Sequence, residues 1–404
     1  MTQLIAALDV GTSKVVALMA ELDHQGPPRV IGFAEQAASG MRKGMVVDID
    51  ATTASIAAAV KNAAAMANCK LTEVFVSIGG AHLRSQNSAG MVAMKEHEVT
   101  AQDIERVIET ARTVAIPNDQ CLLHTLPQEF IIDGQEGVLK PLGMSGRRLE
   151  VKAHLITGAQ SSIDNIEKCL RRVGLNVLEM VVHPLASATA CLTQEEIDIG
   201  VCLLDIGAGT TDFALYSGGA IRHTGVLPVA GDQITNDIAM ALRTSSREAA
   251  EIKHVHGCAL TKLVPGDELI EVVGVGDRPP KSLARHMLAE VIEPRVEELF
   301  QLVHAQISGS GLEPFLRSGY VITGGSAHLP GIAELAEEVF HAPVRIGRPS
   351  YAGPLHDVLR APQYAAAIGL LLHAQEFYGR RSALARREST GLGLVAKLRD
   401  MFGV

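Results

Sequence analysis

At 404 residues the chain is long enough for two or three domains, and 47% hydrophobic against 20% charged residues is the composition of a folded globular protein, which excludes a disordered chain. A net charge of −9, no tryptophan and 3% aromatic residues exclude a body that binds nucleic acid through a basic face or stacked bases. No run approaches the roughly 18 uncharged apolar residues of a membrane span, Met1–Val10 lacks the basic and apolar regions of a secretion signal, and the six cysteines form no C-x-x-C pair, so reduced thiols in a cytosolic protein are expected.

Short β-branched runs at Leu4–Leu8, Val15–Glu21 and Arg29–Ala38, separated by Gly/Thr/Ser and Gly-Pro-Pro turns, predict three strands. An alanine-rich helix is expected over Thr52–Cys69, then a strand over Glu73–Ile78 ending in Gly79-Gly80. From Ala81 to Ala159 the texture changes. Extended stretches at Leu122–Ile132 and Leu149–Thr157 follow a helix at Ala101–Ala115, which opens on Thr100 with Asp103 three residues on. This is the pattern of an inserted subdomain. The α/β alternation resumes with a helix at Ser162–Val173 and a strand at Val177–Val182. A second, mostly helical insertion is expected from Thr244 to Arg317, its longest helix over Leu283–Ile307 with Pro294 as a kink.

The second half repeats the first. Asp9 ends one strand and is followed by Gly11, Thr12, Ser13 and Lys14; Asp205 ends another and is followed by Gly207, Ala208, Gly209, Thr210, Thr211 and Asp212. Small turns of this kind let backbone N–H groups approach phosphate oxygens, and Lys14 adds positive charge. Asp9 and Asp205 offer carboxylates to Mg²⁺ through water. One such turn alone reads better as a plain β-hairpin with glycines at positive φ; two matched copies point to a clamp on a triphosphate. A third element, the strand ending at Thr323 followed by Gly324, Gly325 and Ser326, reads alone as a plain strand–loop–helix junction and, beside the two hairpins, as a place where backbone approaches a nucleotide. The 15 histidines show no metal-ligand spacing.

Together with the helix start Pro184-Leu185-Ala186-Ser187 and the closing helix Tyr364–Gln375, these motifs resemble the nucleotide-binding core of the actin/Hsp70 superfamily. Within it the chain is similar to the bacterial cell-division FtsA family, through Ser39–Gly44, His124–Asp133, His256–Leu260, Arg278–Leu283, Ala289–Arg295 and Val321–Ser326. The resemblance implies an α/β, two-lobed actin-like fold (duplicated ribonuclease H-like) with an inserted subdomain in each lobe and a C-terminal amphipathic helix. The first lobe would comprise 1–80, 160–195 and 363–378, with the family's own insertion at 81–159. The second would comprise 196–243 and 318–362, with an insertion at 244–317. A basic linker, 379–390, and a membrane-targeting helix, 391–404, would follow.

The resemblance also implies ATP and Mg²⁺ as ligands, with Gly231, Asp232 and Lys253 joining the nucleotide site. It implies self-assembly, other division proteins as partners, and the tubulin-like protein FtsZ docked on 244–317, where Arg278, Lys281 and Arg285 form a basic run. That run reads otherwise as a solvated basic face. Two positions depart from superfamily patterns. His183 stands where chaperone-type relatives carry a Glu before Pro, so slow hydrolysis is expected. Ala250 stands where a ribose-contacting Glu is common, with Glu251 one residue later.

From Gly379 to Val404 six basic and two acidic residues give the tail +4 and leave −13 for the rest. On a helical wheel Leu394, Val395, Leu398, Met401 and Phe402 share a face opposite Lys397 and Arg399. This fits an interfacial helix on an anionic membrane, at the cytoplasmic face of the division site; the other reading is a helix docked on the protein's own core. A small-molecule kinase of the same superfamily is the alternative function, and it would need a positioned base that the sequence does not offer.

Overall fold

The computed structural model describes residues 3–22, 26–274 and 279–388, with side chains through Gly379. The first lobe opens with β1 (Gln3–Val10), β2 (Lys14–Leu22) and β3 (Arg29–Ala37), an antiparallel meander. A short ribbon of β4 (Met41–Arg42) and β5 (Met45–Val46) leads to α1 (Ile49–Ala67) and β6 (Glu73–Ile78). Helix α1 starts before the expected Thr52 because Asp48 accepts a hydrogen bond from Ala51 N–H; it stops at Asn68, which is left-handed.

The insertion follows as β7 (Arg84–Ala93), α2 (Ala101–Arg112), β8 (Gln120–Ile132), β9 (Gln135–Val138) and β10 (Arg148–Ala159). The Thr100–Asp103 pair forms a reciprocal capping box at the start of α2. The four strands make an antiparallel sheet in the order β7-β10-β8-β9, and α2 seals one face with its own apolar core, including Val107, Phe130 and Leu149. The first lobe resumes with α3 (Gln160–Val173), β11 (Asn176–Val182) and α4 (His183–Cys191). Its sheet has the order β11-β6-β1-β2-β3, with β6 parallel to β1.

The second lobe repeats this plan. After α5 (Gln194–Ile199) come β12 (Val201–Ile206), β13 (Thr211–Ser217), β14 (Ala220–Leu227), α6 (Gly231–Leu242) and α7 (Ser246–His256). Then β15 (Leu269–Val272) pairs with β16 (Lys281–Ala284) ahead of the long α8 (Arg285–Ser310). The second insertion is mostly helical as expected, through α7 and α8, with the β15–β16 hairpin as an addition. Residues 281–284 are spent on a hairpin, so α8 begins later than expected and contains Pro294. β17 (Tyr320–Thr323), α9 (Ile332–Phe340), β18 (Val344–Ile346) and α10 (His356–Leu359) complete the lobe, whose sheet order is β14-β13-β12-β17-β18.

The last helix, α11 (Ala365–Glu388), returns to the first lobe and packs on α4, β1 and β2. It runs through much of the stretch read as a linker. One core, containing Val16, Phe75, Ala186, Leu203 and Leu370, joins strands of both sheets to α4 and α11. The two sheets thus face each other across α4 with their Gly-rich turns on one cleft.

Candidate functional site

Both turns have the same cause. Strands β1 and β2 are joined across Gly11, whose N–H donates to Lys14 O (2.9 Å); β12 and β13 are joined across Gly207, whose N–H donates to Thr210 O (3.0 Å). Thr12, Ser13, Ala208 and Gly209 at the tips line one cleft with Asp9, Asp205 and Asp212. The tips touch: a Cβ built on Gly209 would lie 2.5 Å from Thr12 Oγ1. Gly209→Val is expected to wedge the hairpins apart, and small-angle scattering of the free protein should show a larger radius of gyration. An unchanged radius would show that the lobes are not held at this contact.

The third motif closes the same cleft. Gly324 has φ +86°, and a Cβ there would sit 2.4 Å from Asp205 Oδ1, so only glycine fits. Ser326 Oγ donates to Gly207 O (3.1 Å), tying this turn to the second hairpin. The first amides of α6 are used structurally: Gly231 N–H donates to Gly207 O and Asp232 N–H to Ala208 O. Lys253 Nζ, on α7, donates to Gly231 O and to Thr235 Oγ1, both at 2.7 Å. Burial lowers its pKa, with Asp232 opposing. These residues border a wider cavity of about 570 Å³ that continues from the cleft and is also lined by Asn236, Arg247 and Ala250. Thr211, by contrast, is fully buried in β13 and donates to Val229 O.

The cleft floor is a charged cluster. Ser77 Oγ donates to Asp9 Oδ1 (2.6 Å), and His183 Nε2 lies 3.2 Å from the same oxygen. Burial disfavours the charged form of His183, but its hydrogen bond to Asp9 and the charges of Asp9, Asp212 and Asp205 outweigh this and raise its pKa to about 9. Burial likewise pushes Asp9 up, and the His183 contact reverses the sign, leaving it below the usual carboxylate value. Asp9 and His183 are thus a buried ion pair. Asp205 is raised to about 6 by burial, with His183 and the Ser187 hydroxyl opposing. Asp212 is also raised by burial; its Oδ2 accepts from Thr210 Oγ1 (2.7 Å), while its Oδ1 is buried with no partner.

An orphaned acceptor aimed into a polar cleft fits a bound water or hard cation. Among the described residues no three His, Cys, Asp or Glu side chains converge as a direct metal cage. A cation here would therefore meet these carboxylates singly or through water.

Sequence reasoning missed several partners. Lys14 is at the cleft, but its ammonium pairs with Glu35 (2.9 Å) and lies 4.3 Å from the Tyr364 ring centroid, rather than standing ready for an anion. Ser77 carries no local signal, and Gly44, noted only as part of the Ser39–Gly44 segment, donates its N–H to Thr12 Oγ1 (3.0 Å). Elsewhere, Lys281 is exposed at the start of β16, whereas Arg285 is engaged internally with Glu268 (2.7 Å) and His256 O (2.8 Å). Arg278 and all the expected membrane residues from Leu394 to Phe402 lie outside the described residues. Among the described residues no helix is long and apolar enough to cross a membrane.

The sequence profile of the family "Cell division protein FtsA" matches residues 202–369, and that of the "SHS2 domain inserted in FTSA" matches 80–157, the first-lobe insertion. The chain is 52% identical over 371 residues to the cell division protein FtsA of Pseudomonas aeruginosa, covering 92% of this chain and 89% of that one. It is 43% identical to that of Escherichia coli K12, covering 93% and 91%. Among solved structures, the PilM–PilN type IV pilus biogenesis complex superposes with a TM-score of 0.66 at 19% identity, covering 92% of this chain and 98% of that one. MreB5 of Spiroplasma citri bound to ADP superposes at 0.56 and 14%, covering 94% and 98%. The actin-like fold is shared with these proteins, and identity to the curated relatives over about nine-tenths of each chain establishes that this chain belongs to the FtsA family of bacterial cell-division proteins.

Proposed function

We propose that the chain binds ATP with Mg²⁺ between its lobes, self-assembles, and links FtsZ to the cytoplasmic face of the membrane at the division site. The observation that carries the reading is the pair of abutting Gly-rich hairpins over a cleft that holds an orphaned carboxylate oxygen. In it, residues 11–13 and 207–209 would hold the polyphosphate, the Gly324–Ser326 turn and the cavity beside Lys253 would hold the nucleoside, and Asp9, Asp205 and Asp212 would face the cation. Bound Mg²⁺ supplies charge neutralisation for the phosphates. Lys14 can join only by leaving Glu35.

The position facing the cleft at the start of α4 carries His183, already committed to Asp9, and not a carboxylate base. Turnover is therefore slow, and nucleotide acts by stabilising whichever lobe arrangement it binds better. Fold neighbours that include MreB5 bound to ADP and a MamK double helical filament support nucleotide binding and assembly as properties of this architecture. FtsZ would dock on the second insertion, where Lys281 of the basic run is exposed.

The tail, residues 391–404, supplies the membrane contact. Five apolar side chains at about 1.5–3 kcal/mol each when fully buried must offset the ordering of a segment containing Gly391, Gly393 and Gly403. One tail is marginal, and assembly makes it effective through valency.

Flotation with anionic liposomes tests the reading. The full chain is expected to float, more so with Mg-ATP, and the chain lacking 391–404 to stay in the soluble fraction. Asp205→Ala should lose the nucleotide effect and bind Mg-ATP at least ten-fold more weakly. Flotation without the tail would refute the anchor; unchanged Mg-ATP affinity in Asp205→Ala would refute the cation site.

A further inference from the structure

The insertion belongs covalently to the first lobe, yet it also grips the second. Its root is apolar: Ile78, Leu83, Ile156, Ile163 and Val182 form one cluster at the junction with the first-lobe sheet. Val226 of β14, an edge strand of the second-lobe sheet, packs on that cluster, and the rest of the grip on this strand is made by hydrogen bonds. Ser85 Oγ donates to Thr224 O (2.7 Å), Asn87 Nδ2 to Arg222 O (3.3 Å), and Gln128 Nε2 to Ile221 O (2.9 Å).

Register explains the fit. In β8 the pairing with β10 slips between Lys152↔Glu129 and Ala153↔Pro127, so Gln128 is the extra residue of a β-bulge. In β14 the pairing with β13 slips between Leu215↔His223 and Tyr216↔Ile221, so Arg222 is the extra residue there. Bulges re-aim side chains and free backbone groups from a ladder, and here one bulge faces the other.

His154 locks the arrangement. Its Nδ1 is 2.7 Å from Asn87 Oδ1 and its Nε2 2.9 Å from Thr224 Oγ1. Asn87 Nδ2 is directed at a carbonyl, so Oδ1 faces the ring; Nδ1–H donates to it and Nε2 accepts from the Thr224 hydroxyl. Burial disfavours the charged ring and lowers its pKa to about 4, in keeping with a neutral imidazole in this arrangement. Gln128, His154 and Thr224 are all buried, so the contact is complete as it stands. Beside it a cavity of about 400 Å³ separates Arg84 and Ser85 from Gln306 and Ser310 at the end of α8.

We infer that this bulge-against-bulge contact is a releasable clasp through which the insertion restrains the second lobe against the first. An apolar root stays closed because water cannot replace it. Side-chain bonds to carbonyls exchange for bonds to water at small net cost, and the adjacent cavity gives water and strand movement room. When the lobes rotate about α4, the root holds and the clasp yields, so the orientation of the insertion reports the lobe angle.

The test is the distance distribution between spin labels on the full chain, at Lys61→Cys in α1 and Gln301→Cys in α8, with the half-exposed Cys69 and Cys121 replaced by Ser. This readout needs no nucleotide, so it stands apart from the proposed ATP binding. With the clasp intact a single inter-lobe distance is expected. Asn87→Ala with Gln128→Ala should add a second, longer population, about ten-fold enriched, the factor expected for one or two net hydrogen bonds. Thr224→Val, which removes the donor to His154 Nε2, should shift the same equilibrium less, at a modest cost in stability that still leaves a cooperative thermal transition. If the distribution in folded Thr224→Val and in the double variant matched that of the unsubstituted chain, the clasp would be refuted.

Discussion

Gly369→Val is expected to be the most damaging single substitution in the molecule, lowering stability by about 3 kcal/mol or more and, for a chain of 404 residues, the unfolding midpoint by about 4 °C. Gly369 lies where α11 crosses α4, and a Cβ there would be 1.7 Å from Ala186 O and 2.4 Å from Ala186 C. Those are backbone atoms inside a helix, which cannot step aside as a flexible side chain can. The helices would have to part, opening the core that joins the two sheets. Because α4 also carries His183 and Ser187 into the cleft, the damage should reach the site. Gly309 in α8, with nothing within 4 Å, is the control: Gly309→Ala should be neutral or slightly stabilising. Denaturant midpoints of the two variants check the contrast; a mild effect of Gly369→Val would mean that this helix crossing does not hold the lobes.

Stability should peak near pH 6.5 and fall on both sides. On the acid side, burial holds His82, His124 and His154 at about 4 against an unfolded value of 6.5. Between those limits the unfolded chain takes up protons that the folded chain refuses, so stability is lost as pH drops. Three histidines acting together give a slope approaching about 4 kcal/mol per pH unit. Asp205, raised to about 6, works in the opposite direction over this range and reduces the slope toward about 3. On the alkaline side His183 dominates. With its folded pKa raised to about 9, its contribution is complete below 6.5 and is lost as pH rises through 9. Urea midpoints from pH 4.5 to 9.5 measure both limbs. His154→Asn should flatten the acid limb by about one proton, and a profile flat from 6.5 to 4.5 would show that these rings are not buried in neutral form.

The features that were legible in the sequence were those with a local cause. The two hairpins could be read because the strand-ending Asp followed by Gly and small residues occurs in two matched copies, and both turns form as expected. Thr100 and Asp103 announced a helix start through a bond across three residues. What stayed hidden depends on partners distant in sequence. Glu35 reaches Lys14 only because β2 and β3 pair with Val16 opposite Glu35. Ser77 meets Asp9 only because β6 runs parallel beside β1. The β15–β16 hairpin was missed because four-residue strands carry too little alternation to be told from a helix approach. The Gln128 bulge has no sequence signature, since it exists only relative to the register of β10.

The discontinuity of the first lobe has a consequence for how the protein is made. The sheet of β1, β2 and β6 is covered on one face by α11, whose Ile368, Leu370 and Leu371 complete its core. Those strands leave the ribosome early, and their cover follows only after about 290 more residues. At about 5–20 residues per second the interval is on the order of 15–60 s, during which one apolar sheet face has no lasting partner. The insertion is different. Its residues are contiguous and carry their own core, so it can close as soon as β10 emerges. A newly made chain thus holds a finished insertion on an unfinished lobe. Synthesis arrested before α11 should leave a species that chaperones retain and proteases cut at the first-lobe strands, while the insertion resists.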